Sequence, residues 1–446
     1  MSERLSLVAS LLELARSGNL RAFLARAEEA EPADLGDVLD SLDEEQRVEI
    51  ARALPPWLSG QALVSMADET EAEETLVAMG PEQAADVVEE LPDDDAADIL
   101  GGLDREEQEK ILSGVEDREE VENLLQYGAE TAGGLMTAQV VAVRDTATAA
   151  EAIEEIRRQA EEVQDFYEVF VTDQRDHLVG ILPLKLLVTS RPDRAVGEFM
   201  EEADNRVGPD VDQEEVARRM TRYNLTSLPV VDDSGRLLGR VALDDVLHVV
   251  EAESTEDLLK FGGVSADEEL TAGWGDAVKS RLPWLYVNLA TAFMAGAVVY
   301  IFRDTIGRTV ALAVWMPIIA GMGGNAGTQA LAVTVRRLAV GHIPAGRSMA
   351  VIGKETLVGL INGLANGLVV AIVAYLMGEG PMLGLVVFLA MVGNLFVAGF
   401  AGAFIPIILE RMNVDPAVAS SIFVTTFTDV CGFLLLLGLA GWLLMA

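Results

Sequence analysis

Along this 446-residue chain the period of the apolar positions changes twice. Over the first 130 residues they return at helical spacing in short blocks. Leu91 closes one block (Ala84, Ala85, Val87, Val88), and Leu103 closes the next (Ala96, Ala97, Ile99, Leu100) 12 residues later. Leu42 and Leu54 repeat the same step. Each block predicts a short amphipathic helix ended by Pro, Asp or Gly. None is large enough to bury its apolar face alone, so the blocks are expected to stack as a helical repeat. From residue 131 the pattern becomes strand and helix, in duplicate. Gly133, Gly134, Leu135 and Met136 open one copy, and Phe199 and Met200 open another 64 residues later. Each copy predicts a helix (149–159; 213–223), a β-branched run (168–172; 227–231), a strand starting at Gly180 or Gly239, and a closing helix.

Beyond residue 280 polar positions become sparse. The stretches 284–302, 309–335, 356–378, 380–409 and 416–446 each approach or exceed the ~20 apolar residues that cross a bilayer, and Asp429 is the one charge inside them. Lys279, Arg281, Arg336, Arg337, Arg347, Lys354 and Arg411 fall on one side of the alternating loops, and only Arg303 and Arg308 on the other. The basic side faces the cytoplasm, so the chain is expected to enter from inside and, with five spans, to end outside the cell membrane. The fold class is multidomain: an all-α helical-repeat N-domain (1–130), an α/β pair (131–197 and 198–252), a linking helix (253–280, helical at 255–261) and an all-α five-helix transmembrane domain (281–446).

Charge sharpens this division. The chain has 72 acidic and 32 basic residues, yet 281–446 holds only six acids: Asp304, Glu355, Glu379, Glu410, Asp415 and Asp429. The first 280 residues carry 66 acids against 24 Lys and Arg, a balance of about −42. Such a body cannot neutralise phosphates, which argues against nucleic acid, and it suits a protein that meets cations. A salt-adapted surface is the competing reading, because Lys occurs only at 110, 185, 260, 279 and 354. The single cysteine, Cys431, permits no intrachain disulfide. Residues 1–24 mix apolar positions with Glu3, Arg4, Glu13, Arg16 and Arg21, unlike a secretory leader.

Two spans carry chemistry. The second contains Pro317 and Gly321, Gly323, Gly324 and Gly327, which weaken a helix and admit close backbone approach. Asn325, Thr328 and Gln329 fall at i, i+3 and i+4 there, one polar stripe on one face. The fifth places Asp429 13 residues after Pro416, about 20 Å along a helix at 1.5 Å per residue. An ionised Asp near mid-membrane costs on the order of 3 kcal/mol on insertion scales, so a cation or water is expected beside it. A protonated Asp bonded to a neighbouring helix is the alternative. Ser421 and Thr425 continue its polar face. No hydrolase or metalloprotease motif occurs, and His177, His248 and His342 are scattered, so no enzyme is expected.

The duplicated unit resembles a pair of CBS domains, on the stretch LPVVDDSGRLLGRVALDDVL at 228–247. That resemblance implies a nucleotide contact through Gly239 and Asp245. Ala242 stands where a hydroxyl is expected, and Leu186 replaces the first copy's Asp, so ATP is allowed but not favoured. The motifs PxxxGxGGNxGxQ (317–329) and TTxxDxxGF (425–433), with the order of regions, resemble the MgtE family of magnesium channels and transporters over essentially the whole chain. The resemblance implies a homodimer with Mg²⁺ passing between the second and fifth spans. Asp429 would line that path, helped by Asn325, Thr328, Gln329, Ser421 and Thr425. It also implies regulatory Mg²⁺ on Asp245, Glu251, Glu253, Glu256 and Asp257, with Glu214 and Asp415, opposite the N-domain acids Asp94, Asp95 and Asp98. A solvated helix N-terminus explains the N-domain acids equally well. The expected function is a passive magnesium channel closed by cytoplasmic Mg²⁺. The rivals are a secondary transporter of Mg²⁺, Co²⁺ or Mn²⁺ coupled to Na⁺ or H⁺, and a membrane-tethered CBS sensor or intramembrane enzyme.

Overall fold

A computed structural model describes residues 2–67, 69–116, 118–160, 163, 166–264, 274–339, 348–412, 414–416 and 420–445. It comprises two compact units, Met1–Glu251 and Ala252–Ala446.

The first unit opens with α1 (Ser2–Arg16), α2 (Leu20–Ala27), α3 (Pro32–Asp40), α4 (Glu44–Ala53) and α5 (Pro56–Val64). It continues with α6 (Glu69–Met79), α7 (Pro81–Glu89), α8 (Asp93–Gly101), α9 (Arg105–Leu112) and α10 (Arg118–Leu124). Local chemistry sets the breaks. Pro32, Pro56 and Pro81 sit in the first turns of α3, α5 and α7, where a missing N–H costs nothing. Asp43 caps α4 through the Gln46 N–H, and Asp104 caps α9 through the N–H groups of Glu106 and Glu107. Odd helices pack on odd ones (α1 on α3, α3 on α5, α5 on α7, α7 on α9), and even on even from α2 to α10. This next-but-one contact is the stacking the 12-residue step predicted, and it buries Phe23, Leu35, Leu58, Leu76 and Leu100.

The duplicated region holds β1 (Ala142–Arg144), α11 (Ala149–Gln159), β2 (Glu168–Thr172), β3 (Leu178–Pro183) and α12 (Leu184–Thr189). The second copy holds α13 (Gln213–Tyr223), β4 (Ser227–Val231) and β5 (Leu237–Ala242). β2 pairs antiparallel with β3, β4 with β5, and β1 runs parallel to β2. Only an isolated parallel bridge, Val207 to Val230, stands in for β1 in the second copy. The opening segments are exchanged. Thr137 pairs with Arg240 of the second copy, and Glu201 with Ile181 of the first. A methyl group at Gly239 would lie 2.5 Å from the Thr137 carbonyl oxygen, and one at Gly180 would lie 2.7 Å from that of Glu201. Both glycines are therefore needed for close strand approach, a packing role for Gly239 beside the nucleotide contact the resemblance implies. One continuous apolar core joins the helical repeat to the second copy through Ala132 and Met136, and the first copy keeps its own.

The linking helix differs from expectation. In place of a separate short helix at 255–261, α14 (Leu243–Phe261) runs unbroken from the end of β5 across the boundary at 251–252 that divides the two units. Nothing between them breaks a helix: residues 243–261 contain neither Gly nor Pro.

The second unit holds α15 (Trp274–Ile301), α16 (Arg303–Arg308), α17 (Leu312–Ala339), α18 (Ser348–Leu376), α19 (Pro381–Arg411) and α20 (Ser420–Met445). Among the described residues four helices are long and apolar enough to cross a membrane: α15, α18, α19 and α20. α17 is long enough at 28 residues, but its glycines, polar stripe and terminal Arg336 and Arg337 dilute it. α15 starts ten residues ahead of the expected span, and α18 eight, so α18 includes Lys354 and a buried Glu355 beside Arg337. Asp429 is thus not the one charge within these long helices. α19 is the centre: α17, α18 and α20 pack on it, whereas α15 touches mainly α20. Gly359, Gly363 and Gly367 of α18 abut the α19 backbone, the small-residue contact by which helices associate without a hydrophobic drive. Arg347 and His342, like residues 265–273, lie outside the described residues.

Candidate functional site

The glycine stretch of α17 runs along α20. A methyl at Gly327 would lie 2.5 Å from Val424, one at Gly323 would lie 3.2 Å from Thr428, and one at Gly324 would lie 3.8 Å from Thr425. The polar stripe looks elsewhere: Asn325 and Gln329 are exposed on the single chain and Thr328 is half-buried. Asp429, Ser421 and Thr425 are half-buried in α20. Thr425 donates to the Ser421 carbonyl at 2.8 Å, leaving its oxygen lone pairs free to accept from a donor or a hydrated ion. The packing therefore brings the α17 glycines against the α20 polar stretch and leaves a polar face outward. Sequence reasoning missed Asn394, wholly buried in α19, which donates from Nδ2 to the Ile319 carbonyl at 2.8 Å. A single Asn within an apolar run was the available signal.

The acidic candidates separate into two groups. In the first unit Asp94 and Asp95, in the first turn of α8, face Asp244 and Asp245, in the first turn of α14. Their helix N-termini favour negative charge, but four carboxylates in proximity do not tolerate it together. Burial first, then Asp245, Asp95 and Asp93, push the Asp94 carboxyl up to about 8. Burial and Asp244 raise Asp245 to about 6, against a hydrogen bond from the Ala242 N–H. Burial and Asp244 likewise raise Asp95, with His248 opposing. Asp94 Oδ1 is shut from solvent and has no hydrogen-bond partner.

Asp93 holds this arrangement in place. Its buried carboxylate accepts from the Thr137 hydroxyl and, at 2.7 Å, from the Ala138 N–H. Asp93→Ala leaves those donors unmet, so it is expected to destabilise the cytosolic unit by about 1–3 kcal/mol, read as a lower midpoint in denaturant.

The second group lies in the other unit. Lys260 Nζ donates to Asp415 Oδ2 at 2.7 Å and pairs with Glu256. Burial opposes the Lys260 charge, but Asp415 and Glu256 outweigh it and raise its pKa. Burial and Asp415 raise Asp257. Asp257 follows Asp245 by 12 residues on α14, about 18 Å at 1.5 Å per residue, so no single ion can join them. The sequence reading placed regulatory Mg²⁺ on these acids without dividing them among sites, and here Glu256, Asp257 and Asp415 gather around Lys260. Asp98 and Glu214 are exposed, Glu251 is exposed on α14, and Glu253 is half-buried there.

Among the described residues no three His, Cys, Asp or Glu side chains converge closely enough to hold a metal as they stand. Carboxylate oxygens are nevertheless the donors a hard divalent cation takes, and Asp94 Oδ1 is buried without a hydrogen-bond partner.

Comparison with known proteins agrees with this architecture. The family model MgtE, "Divalent cation transporter", matches residues 316–439; "MgtE intracellular N domain" matches 30–130; "CBS domain" matches 132–190 and 196–252. The magnesium transporter MgtE of Thermus thermophilus is 36% identical over 452 residues, covering 100% of both chains. That of Bacillus subtilis is 32% identical, covering 97% of this chain and 96% of its own. Two solved structures resemble the first part. The soluble part of a magnesium transporter is 30% identical with a TM-score of 0.50, covering 56% of this chain and 99% of that one. The cytosolic domain of the Mg²⁺ channel MgtE in complex with ATP is 37% identical with a TM-score of 0.51, covering 54% and 99%. Helical repeat, CBS pair and apolar bundle in this order, with relatives matched along their full length, make the chain a member of the MgtE family of membrane-embedded divalent cation transporters.

Proposed function

We propose that this chain is a magnesium-selective channel of the cell membrane, conducting passively inward and closed by cytoplasmic Mg²⁺. The observation that carries the regulatory half is the close approach of half-buried Asp94, Asp95 and Asp245, with Asp244 at the exposed edge. Like charges held together partly out of water favour any state in which a cation neutralises them. Mg²⁺ bound there stabilises the compact unit in proportion to its preference for it, and α14, continuous from Asp245 to Lys260, carries the change toward the membrane helices. Glu251, Glu253, Glu256, Asp257, Asp415, Glu214 and Asp98 are auxiliary ligands in this reading.

For conduction, the five long helices serve as spans, with the first unit cytoplasmic and the C-terminus outside. Two copies bring their outward Asn325, Thr328 and Gln329 faces together and align two Asp429 carboxylates with Ser421 and Thr425. Such a ring of oxygens suits Mg²⁺ held through its hydration shell. The rival, a transporter coupled to Na⁺ or H⁺, draws on interrupted helices, yet α17 and α20 each run as one helix. Proteoliposomes with a membrane potential and no Na⁺ or H⁺ gradient separate the two. A channel takes up Mg²⁺ there, and a coupled transporter does not.

Nucleotide is secondary in this account. Gly239 serves strand packing, and the Asp245 carboxylate already accepts the Ala242 N–H at 3.2 Å and faces other acids. ATP is expected to bind the full chain weakly by calorimetry. The relative crystallised with ATP makes this a sharp test, since tight binding lost in Asp245→Ala would reinstate the ribose contact.

A further inference from the structure

Asn394 lies at a buried place where α17, α19 and α20 meet through polar atoms and glycines. Its side chain is wholly excluded from solvent. Nδ2 donates to the Ile319 carbonyl on α17 at 2.8 Å, and Oδ1 has no hydrogen-bond partner. Glycines flank the amide on both sides. A methyl at Gly323 of α17 would overlap Nδ2, and a methyl at Gly432 of α20 would lie 2.9 Å from Nδ2 and 3.2 Å from Oδ1. Thr428, also wholly buried, approaches the same point from α20. Gly323 stands two residues before Asn325, and Gly432 three residues after Asp429. The bond to Ile319 ties α19 to α17, while the unpartnered Oδ1 carries a desolvation cost that an apolar residue of the same shape would not.

We infer that Asn394 is a positioning residue for ion discrimination: a wedge that sets the spacing and register between the α17 polar stripe and Asp429. It touches neither the stripe nor, in this account, the ion, and it acts through the two glycine contacts. The inference rests on the reading of α17 and α20 as the walls of the ion path. An ion path only slightly too loose loses its preference for a small, tightly hydrated cation.

The test is the full-length protein in proteoliposomes, with Mg²⁺ and Ca²⁺ uptake measured separately and divided by the amount of folded dimer from size-exclusion chromatography. Asn394→Ala is expected to raise the Ca²⁺-to-Mg²⁺ uptake ratio by about tenfold, less than the roughly hundredfold that a misplacement near 1 Å can cost a reacting site. Gly432→Ala, which pushes the same amide from the other side, is expected to shift the ratio while leaving Asn394 in place. Asn394→Ser, smaller but still polar, stands in if Asn394→Ala does not fold. A merely structural role lowers the yield of folded dimer and leaves the ratio of the surviving protein unchanged, and that result overturns the inference. Asp429→Asn is run alongside. If it leaves the ratio unchanged, the ion path itself is misassigned; if it alters the ratio and the Asn394 and Gly432 variants do not, only the wedge is refuted.

Discussion

Asp429→Ala is expected to lower Mg²⁺ flux through the reconstituted protein about 10- to 100-fold, the equivalent of losing one charge-assisted contact worth about 1.5–3 kcal/mol. The dimer should remain folded with no loss of yield, because removing a carboxylate from a span relieves an insertion cost of on the order of 3 kcal/mol. A variant that is better tolerated by the bilayer yet conducts worse is the signature of a group kept for function. Asp429→Asn keeps the shape and two hydrogen-bonding groups, so it isolates the charge. Radiotracer or indicator-dye uptake normalised to folded protein makes the comparison. A structural Asp bonded to a neighbouring helix gives the opposite pair of results, with less folded protein and normal flux per molecule.

The second large effect concerns the facing acids of α8 and α14. Their carboxyl pKa values are raised in the folded unit, to about 8 for Asp94 and about 6 for Asp245. An acid whose folded pKa is raised contributes stability that is present at low pH and lost as pH climbs through that folded value. Without metal, the cytosolic unit should therefore weaken as pH rises above about 4, the loss from Asp245 being complete near pH 6 and that from Asp94 near pH 8, by on the order of a few kcal/mol in all. Mg²⁺ should restore the loss, and restore more of it at pH 8 than at pH 6, because protons and Mg²⁺ compete for the same oxygens. The double change Asp94→Asn with Asp245→Asn should flatten both dependences and leave a channel that stays open at high cytoplasmic Mg²⁺. Thermal unfolding in a pH series, with and without Mg²⁺ at fixed ionic strength, checks it. If stability follows ionic strength and ignores Mg²⁺ specifically, these acids are a salt-adapted surface and the sensor is elsewhere.

How much of this was legible in the sequence depended on whether the signal was local. α11, α13, β2 and β4 have the bounds their patterns predicted, because an amphipathic period and capping residues such as Thr148 and Asp212 act within a few positions. β1 escaped notice because three residues are too few to show alternation. The exchange of Met136 and Met200 between the two copies left no local mark, since it is a tertiary choice read only in what crowds Gly239 and Gly180. For the candidate site, composition disclosed which acids exist but not which helix ends meet. It joined Asp257 to Asp245 although a straight helix holds them apart, and it gave no hint that Lys260 gathers Glu256 and Asp415. Asp93 adjoins Asp94 and Asp95 in the sequence, yet it is the one consumed by Thr137 and Ala138. Asn394 was readable in principle, as an amide alone in an apolar run, but its two glycine neighbours lie on other helices.

The central claim, passive magnesium conduction shut by cytoplasmic magnesium, meets its most direct test in an excised inside-out patch holding the full-length protein. Current carried by Mg²⁺ from the outer face is recorded with no Na⁺ or H⁺ gradient, while bath Mg²⁺ is raised at fixed ionic strength. The account predicts a current that flows at low bath Mg²⁺, falls steeply as bath Mg²⁺ rises, and returns on washout. A current that appears only when a Na⁺ or H⁺ gradient is imposed, or that bath Mg²⁺ changes only through the driving force, would contradict it.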